Sequence, residues 1–294
     1  MGDSMTRGAL LGAAGVAAVG AAAGVAIWKS GGDRPDLGDR VVAARVPDPV
    51  PGDDPRAGAW GRAEAIRVLL AAQTITQPAL DALGIGDVTV RALHDGTSLA
   101  LRLDWEDPDA DDVASLARFQ DAVAVQIPAA SGAKPPSVAM GGPGQAVHIL
   151  QWRATWQRDI DSGHRTGVAD IFPRVVHDTT PDQLLGDAAV VYYPGRHAGN
   201  PLAQLGRTSP VEEAVAEGFG TLASLPQQRA AGRGVHEDGW WRVALSIPMQ
   251  RAPAGAALVP GSSWPVAFAL WLGDRGNRGS RKQFADWVTL EVAA

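Results

Sequence analysis

Short stretches of alternating or wholly apolar residues, parted by turn-forming residues and never merging into a long 3.6-residue repeat, limit most severely how this chain can fold. The clearest pair is Val88–His94 and Leu99–Trp105, joined across Asp95-Gly96, a dipeptide that tolerates the positive φ of a tight hairpin. Its alternation predicts one buried face and one solvated face. Strands are expected at Ala65–Ala71, Asp87–Leu93, Ser98–Asp104, Ala122–Gln126, Val147–Ala154, Ala188–Tyr193, Trp240–Ser246, Val266–Trp271 and Trp287–Val292. Helical pieces are few: Asp112–Phe119, and Pro210–Glu217, where Ser209 caps a first turn rich in acid. Connections at 128–146 and 155–187 exceed ordinary loop lengths, and such loops in a β domain are either functional or disordered. The expectation is an all-β sandwich with a few short helices.

The N-terminus is of another kind. Gly8–Trp28 is uncharged and rich in Ala, Gly, Val and Leu, between Arg7 and Lys29. As a helix it would be roughly 30 Å long, the thickness of a bilayer core. Ala21, Ala22 and Ala23 offer a signal-peptide cleavage site, but Trp28 and Lys29 look like the interfacial end of a retained transmembrane anchor, the reading favoured here. Residues 30–55 are rich in Pro, Gly and Asp and read as an extended spacer. The expected organisation is therefore an anchor or signal peptide at 1–29, a linker at 30–55 and one β-sandwich domain at 56–294.

Composition removes whole classes of chemistry. Cysteine is absent, which excludes disulfides, thiolate metal sites, iron–sulfur clusters and covalent c-type haem attachment. A net charge of -6 argues against a nucleic-acid partner, which requires a basic face. No nucleophile elbow, His-Glu-x-x-His pair, Walker loop or dinucleotide glycine fingerprint occurs. The acidic run Asp104–Asp112 lacks the glycine and terminal glutamate of a calcium loop and reads as a solvated turn.

None of the six histidines is paired at metal-ligand spacing; His148 and His197, beside apolar strands, are the reserve ligands. The ten tryptophans read mainly as sandwich core, with some left to stack on a flat ligand, a sugar or a porphyrin. Lysine occurs only at Lys29, Lys134 and Lys282, and methionine beyond the first five residues only at Met140 and Met249. Met140 stands among glycines that let backbone approach a bulky ligand, yet on residue type alone it reads as a gap filler and Lys282 as a solvated lysine.

A set of ordered blocks changes that reading: Trp105–Asp107, Phe119–Pro128, Met140–Gly141, Trp152–Ala154, Gly195–Pro201, Glu217–Thr221, Trp264–Trp271 and Lys282–Trp287. Across residues 56–294 they resemble the haem-binding gamma subunit of ethylbenzene dehydrogenase and its relatives in dimethylsulfide dehydrogenase and in selenate, chlorate and nitrate reductases, the type II DMSO reductase family. The resemblance implies a sandwich similar to carbohydrate-binding modules, holding one non-covalent haem b. It places the family's two axial ligands on Met140 and Lys282. It further implies a non-catalytic electron-transfer subunit on the extracytoplasmic side, working with a molybdopterin catalytic subunit, an iron–sulfur subunit and an external electron carrier. Family members are usually soluble after signal cleavage, whereas this chain looks anchored. Lysine binds iron only as the neutral amine, and deprotonating it from an ordinary pKa costs about 4.6 kcal/mol at pH 7. A surface carbohydrate-binding module on the same sandwich is the alternative.

Overall fold

The alternation of the first hairpin produces β-structure throughout. A computed structural model of the chain describes residues 34–113, 115–132, 134–164, 174, 198, 207–251 and 254–294. Its strands are β1 (Arg40–Arg45), β2 (Ile66–Leu69), β3 (Ala71–Ala72), β4 (Asp87–His94), β5 (Ser98–Glu106), β6 (Ala122–Pro128) and β7 (Val147–Arg153). After the helix α1 (Ala154–Ser162) come β8 (Val211–Ala216), β9 (Ala223–Ser224), β10 (Ala231–Glu237), β11 (Trp240–Pro248), β12 (Ser263–Trp271), β13 (Gln283–Phe284) and β14 (Val288–Val292).

Hydrogen bonding links them in the order β10-β11-β5-β4-β1-β14-β12-β6-β7-β8-β9, with β2 on β4 and β13 bridging β12 and β3. Strand β12 belongs to two sheets. Its first half, Ser263–Val266, pairs with β14, and its second half, Ala267–Trp271, pairs with β6. Between the sheets lies one continuous apolar core, to which β4 and β5 contribute Val88, Val90, Leu101 and Leu103, and β6, β7 and β12 contribute Val123, Val125, Leu150, Trp152, Phe268 and Leu270. The expectation of an all-β fold with few helices holds.

Four local expectations are corrected. From Pro35 onward the spacer expected at 30–55 is part of the fold: the compact unit runs from that residue, and β1 lies parallel to both β4 and β14 in the first sheet. Val41 and Ala43 are fully buried there, and the Pro-rich stretch behind them packs on the sheet through Val46 and Trp60, whose Nε1 donates to the Asp54 carbonyl at 2.9 Å. Four apolar residues inside a Pro- and Asp-rich segment carry too little periodic signal to stand out.

Asp112–Phe119 is not a helix; Ser115 and Arg118 close a tight turn by exchanging main-chain hydrogen bonds of 3.1 and 3.4 Å. Pro210–Glu217 is not a helix either but the strand β8, because Glu213 is fully buried, and its carboxylate accepts hydrogen bonds from His148 at 3.1 Å and from the Ala230 amide at 2.7 Å. The expected loop from residue 155 begins instead with α1, which stops at Gly163 in the left-handed conformation, φ 65°.

The anchor at Gly8–Trp28 and the strand at Ala188–Tyr193 lie outside the described residues. Among the described residues no helix is long and apolar enough to cross a membrane.

The structural claim for β1 is directly testable. Val41→Asp puts an unpaired charge in the centre of the first sheet and is expected to lower the unfolding free energy by about 3 kcal/mol or more. A urea unfolding midpoint equal to that of the wild type would return the segment to the status of a spacer.

Candidate functional site

Side chains alternate along a strand, so a strand whose one set of residues fills the core offers the other set to the opposite face. In β6 the core set is Val123, Val125 and Ile127. The outward set is Ala122, Ala124 and Gln126. Register extends this face across three strands: Ala124 is paired with Ala269 and Gln151, Ala122 with Trp271 and Arg153, and Gln126 with Ala267 and Ile149. All of these residues line a cavity of about 630 Å³, well inside the ~300–1,000 Å³ range of small-molecule and cofactor sites. Ala122, Ala124, Ala267 and Ala269 make the centre of its floor wide and flat, since each side chain ends at Cβ.

Met140 and Lys282 reach this cavity from two loops. Met140 has φ 67°, which a residue with a side chain rarely adopts. Its carbonyl accepts from the Gly218 amide at 2.8 Å, and the next amide, of Gly141, donates to the Ser137 carbonyl at 2.8 Å. Gly141, at φ 81°, admits no side chain, because a Cβ would collide with the Gln145 carbonyl. The surroundings thus hold Met140 in a strained conformation while its side chain packs against a buried apolar cluster that includes Ala122, Ala124, Ala269 and Trp271.

Lys282 follows a tight turn that Arg278 and Arg281 close by reciprocal main-chain hydrogen bonds of 3.1 and 2.9 Å. Its neighbour Gln283 is fully buried and donates to the Leu270 carbonyl at 3.2 Å and to Asn277 Oδ1 at 2.9 Å. That fixes Gln283 and sends the adjacent Lys282 side chain toward the cavity. Lys282 is half-buried, with Nζ 5.2 Å from the centroid of the Trp271 ring. Burial pushes its amine down to about 8, and no carboxylate counters the shift. Trp287, from the same block, donates to the Pro136 carbonyl at 2.8 Å and so ties the Lys282 segment to the Met140 loop.

Among the described residues the lining is electrostatically one-sided: Arg153, Arg278 and Lys282 contribute positive charge, and no Asp or Glu lines the cavity. Arg153 is neutralised by Glu212.

The reserve ligands fare differently. His148 alternates onto the core side of β7, is 1% exposed, does not line the cavity, and bonds Glu213 at 3.1 Å; burial pushes it below the ordinary histidine range. His197 lies outside the described residues. Among the described residues, no three His, Cys, Asp or Glu side chains group as a metal site. Sequence reasoning missed the alanine floor, although the pattern Ala-x-Ala at 122–124 and again at 267–269 is present.

Residues 57–283 match the family described as "Ethylbenzene dehydrogenase". The chain is 23% identical over 262 residues, 85% of its length and 75% of the relative's, to the "Putative respiratory nitrate reductase heme subunit ORF7" of Haloferax mediterranei. Among solved structures it is similar to a family 9 carbohydrate-binding module of Caldicellulosiruptor kristjanssonii in complex with glucose (8% identity, 87% of this chain and 96% of the other, TM-score 0.41). It is also similar to a "putative carbohydrate-binding protein" of Bacteroides uniformis (10% identity, 87% of this chain and 100% of the other, TM-score 0.45).

Strain at residue 140 has a measurable signature. Met140→Gly and Met140→Ala lose the same packing, but only glycine relieves the positive φ, so the glycine variant is expected to be the more stable by about 1 kcal/mol, inverting the usual order. Urea denaturation decides it: an alanine variant as stable as the glycine variant would mean that residue 140 is not held at positive φ.

Proposed function

Because the chain belongs to the ethylbenzene dehydrogenase family, we propose that it is a non-catalytic electron-transfer subunit carrying one non-covalent haem b, with Met140 and Lys282 as the axial ligands. One observation carries the reading: a thioether and an amine that has no carboxylate partner among the described residues line the same flat-floored cavity.

The donor set fits the group. Without cysteine the chain offers neither a thiolate ligand nor a covalent attachment point, so the haem is held by packing and by N or thioether ligands. The alanine floor leaves room for a flat macrocycle, and Phe119, Trp271 and Phe284 exclude water from it. Met140 supplies a soft, neutral ligand that favours the ferrous state. Lys282 supplies its lone pair only after losing a proton. With an amine pushed down to about 8, about one side chain in ten is neutral at pH 7, against fewer than one in a thousand for an ordinary lysine. With Met140 and Lys282 both holding the group, it would supply single-electron transfer and leave no position for a substrate.

Electron transfer without catalysis requires partners on either side. The Haloferax relative bears the name of a nitrate reductase haem subunit, which supports the same kind of complex here. The cysteine-free chain cannot hold iron–sulfur clusters itself, so those belong to a separate subunit, beside a molybdopterin catalytic subunit and an external carrier. Gly8–Trp28 would tether the domain on the extracytoplasmic side, ahead of the haem-binding sandwich.

Protein produced with haem supplied is expected to show a Soret band and the sharp α and β bands of a six-coordinate low-spin haem. Met140→Ala and Lys282→Ala should each convert it to a high-spin spectrum or lose the haem. Colourless protein that binds glycans would instead support the carbohydrate-module alternative. Protonation competes with iron for Lys282, so the low-spin fraction of reconstituted protein should rise with pH, with a midpoint at or below about 8. Lys282→Ala should abolish that dependence; a pH profile unchanged in the variant would remove lysine from the ligand set.

A further inference from the structure

The cavity holds more positive charge than iron ligation uses. Of the three cationic side chains that line it among the described residues, Arg153 is paired with Glu212 and Lys282 is assigned to the iron. Arg278 remains. Its guanidinium lies over the Phe119 ring, 4.3 Å from the centroid, and donates through Nη1 to the Gly276 carbonyl at 3.0 Å. Among the described residues it has no carboxylate partner. Arg278 is exposed, so the N–H donors that the Gly276 carbonyl does not take face water at the cavity's edge, where their planar fork suits a carboxylate.

The backbone beneath this side chain is well fixed. The turn is closed between Arg278 and Arg281, the Gly279 carbonyl accepts from Trp271 Nε1 at 2.9 Å, and Ser280 Oγ donates to the Pro78 carbonyl at 2.8 Å. Phe119 also lines the cavity, so its ring steers the guanidinium at the cavity's edge.

Resting on the haem reading above, we infer that Arg278 is the anchor for a carboxylate of the bound porphyrin, a propionate in haem b, and that it makes the cavity selective for a porphyrin diacid. The same turn then delivers two different contacts: Lys282 to the metal and, four residues earlier, Arg278 to the acidic edge of the ring. A charge-assisted pair of this kind corresponds to roughly tenfold or more in affinity.

The test uses the full chain freed of haem, titrated with ferric protoporphyrin IX and with its dimethyl ester, which keeps the macrocycle and removes both negative charges. Wild-type protein is expected to prefer the free acid by roughly tenfold or more. Arg278→Gln should cut that preference to about twofold or less while the bound free acid keeps the wild-type Soret band. Arg275→Gln is the control: that residue pairs with Asp274 and does not line the cavity, so the preference should survive. An Arg278→Gln variant that discriminates as the wild type does would overturn the anchor and leave the haem reading standing. If neither porphyrin gives a six-coordinate spectrum with wild-type protein, the haem reading falls, and the anchor with it.

Discussion

Strand β12 is hydrogen-bonded into both sheets, and the architecture depends on that sharing. Its first half pairs with β14 and its second half with β6, so one register fixes which residues of both sheets face the core. A slip of one residue would exchange the two faces along the strand. Phe268 and Leu270 would leave the core, and Ala267 and Ala269 would enter it. Correct register accordingly buries the apolar set inside the sandwich and, in the same stroke, lays the alanines side by side outside it. The cavity floor is therefore a consequence of core packing and needs no separate folding decision.

Strands buried on both faces must also satisfy every charge they carry. Glu213 on β8 shows how. Burial pushes its carboxyl up, but hydrogen bonds from His148 and Arg229 outweigh that and bring it below the ordinary carboxylate range. This network lies on the core side of β7 and β8, so the acid is consumed there and does not reach the cavity. Glu212, facing the other way, is consumed by Arg153. What remains on the cavity side, among the described residues, is a lining without carboxylates, in which a cation stays available for a ligand. Met140 adds a strained backbone to this site, restrained by Gly141 and Gly218 on either side of its peptide units.

Much of the fold was legible in the sequence, because the hairpin at Asp95-Gly96 and the apolar runs of β6, β7, β11 and β12 carry period-two signals strong enough to read directly. What escaped did so for physical reasons. β1 is short and embedded in Pro- and Asp-rich sequence, and its partners β4 and β14 are remote in the chain. β8 carries two glutamates that suit a helix N-terminus until tertiary contacts satisfy them. At the site, the Met140 and Lys282 segments were legible through their family resemblance, not through residue type. The alanine floor escaped because its meaning lies in cross-strand register, which pairs residues 122–126 with 267–271 and 149–153 and leaves no local trace.

The division between lysine and arginine follows from that register and from proton chemistry. Arginine stays charged at every accessible pH and presents a rigid fork, so it suits permanent partners: Glu212 for Arg153, and in the inferred role a carboxylate for Arg278. It cannot donate a lone pair to a metal. Lysine can, once burial lowers its pKa, and in an arginine-dominated chain Lys282 is the lysine that lines the cavity among the described residues. An arginine there would leave a fixed charge in the cavity beside Trp271, suited to a second anion and useless to iron. The proposed site thus turns on a distinction invisible to net charge: two basic residues four positions apart, one chosen for a charge it never loses and the other for a proton it can give up.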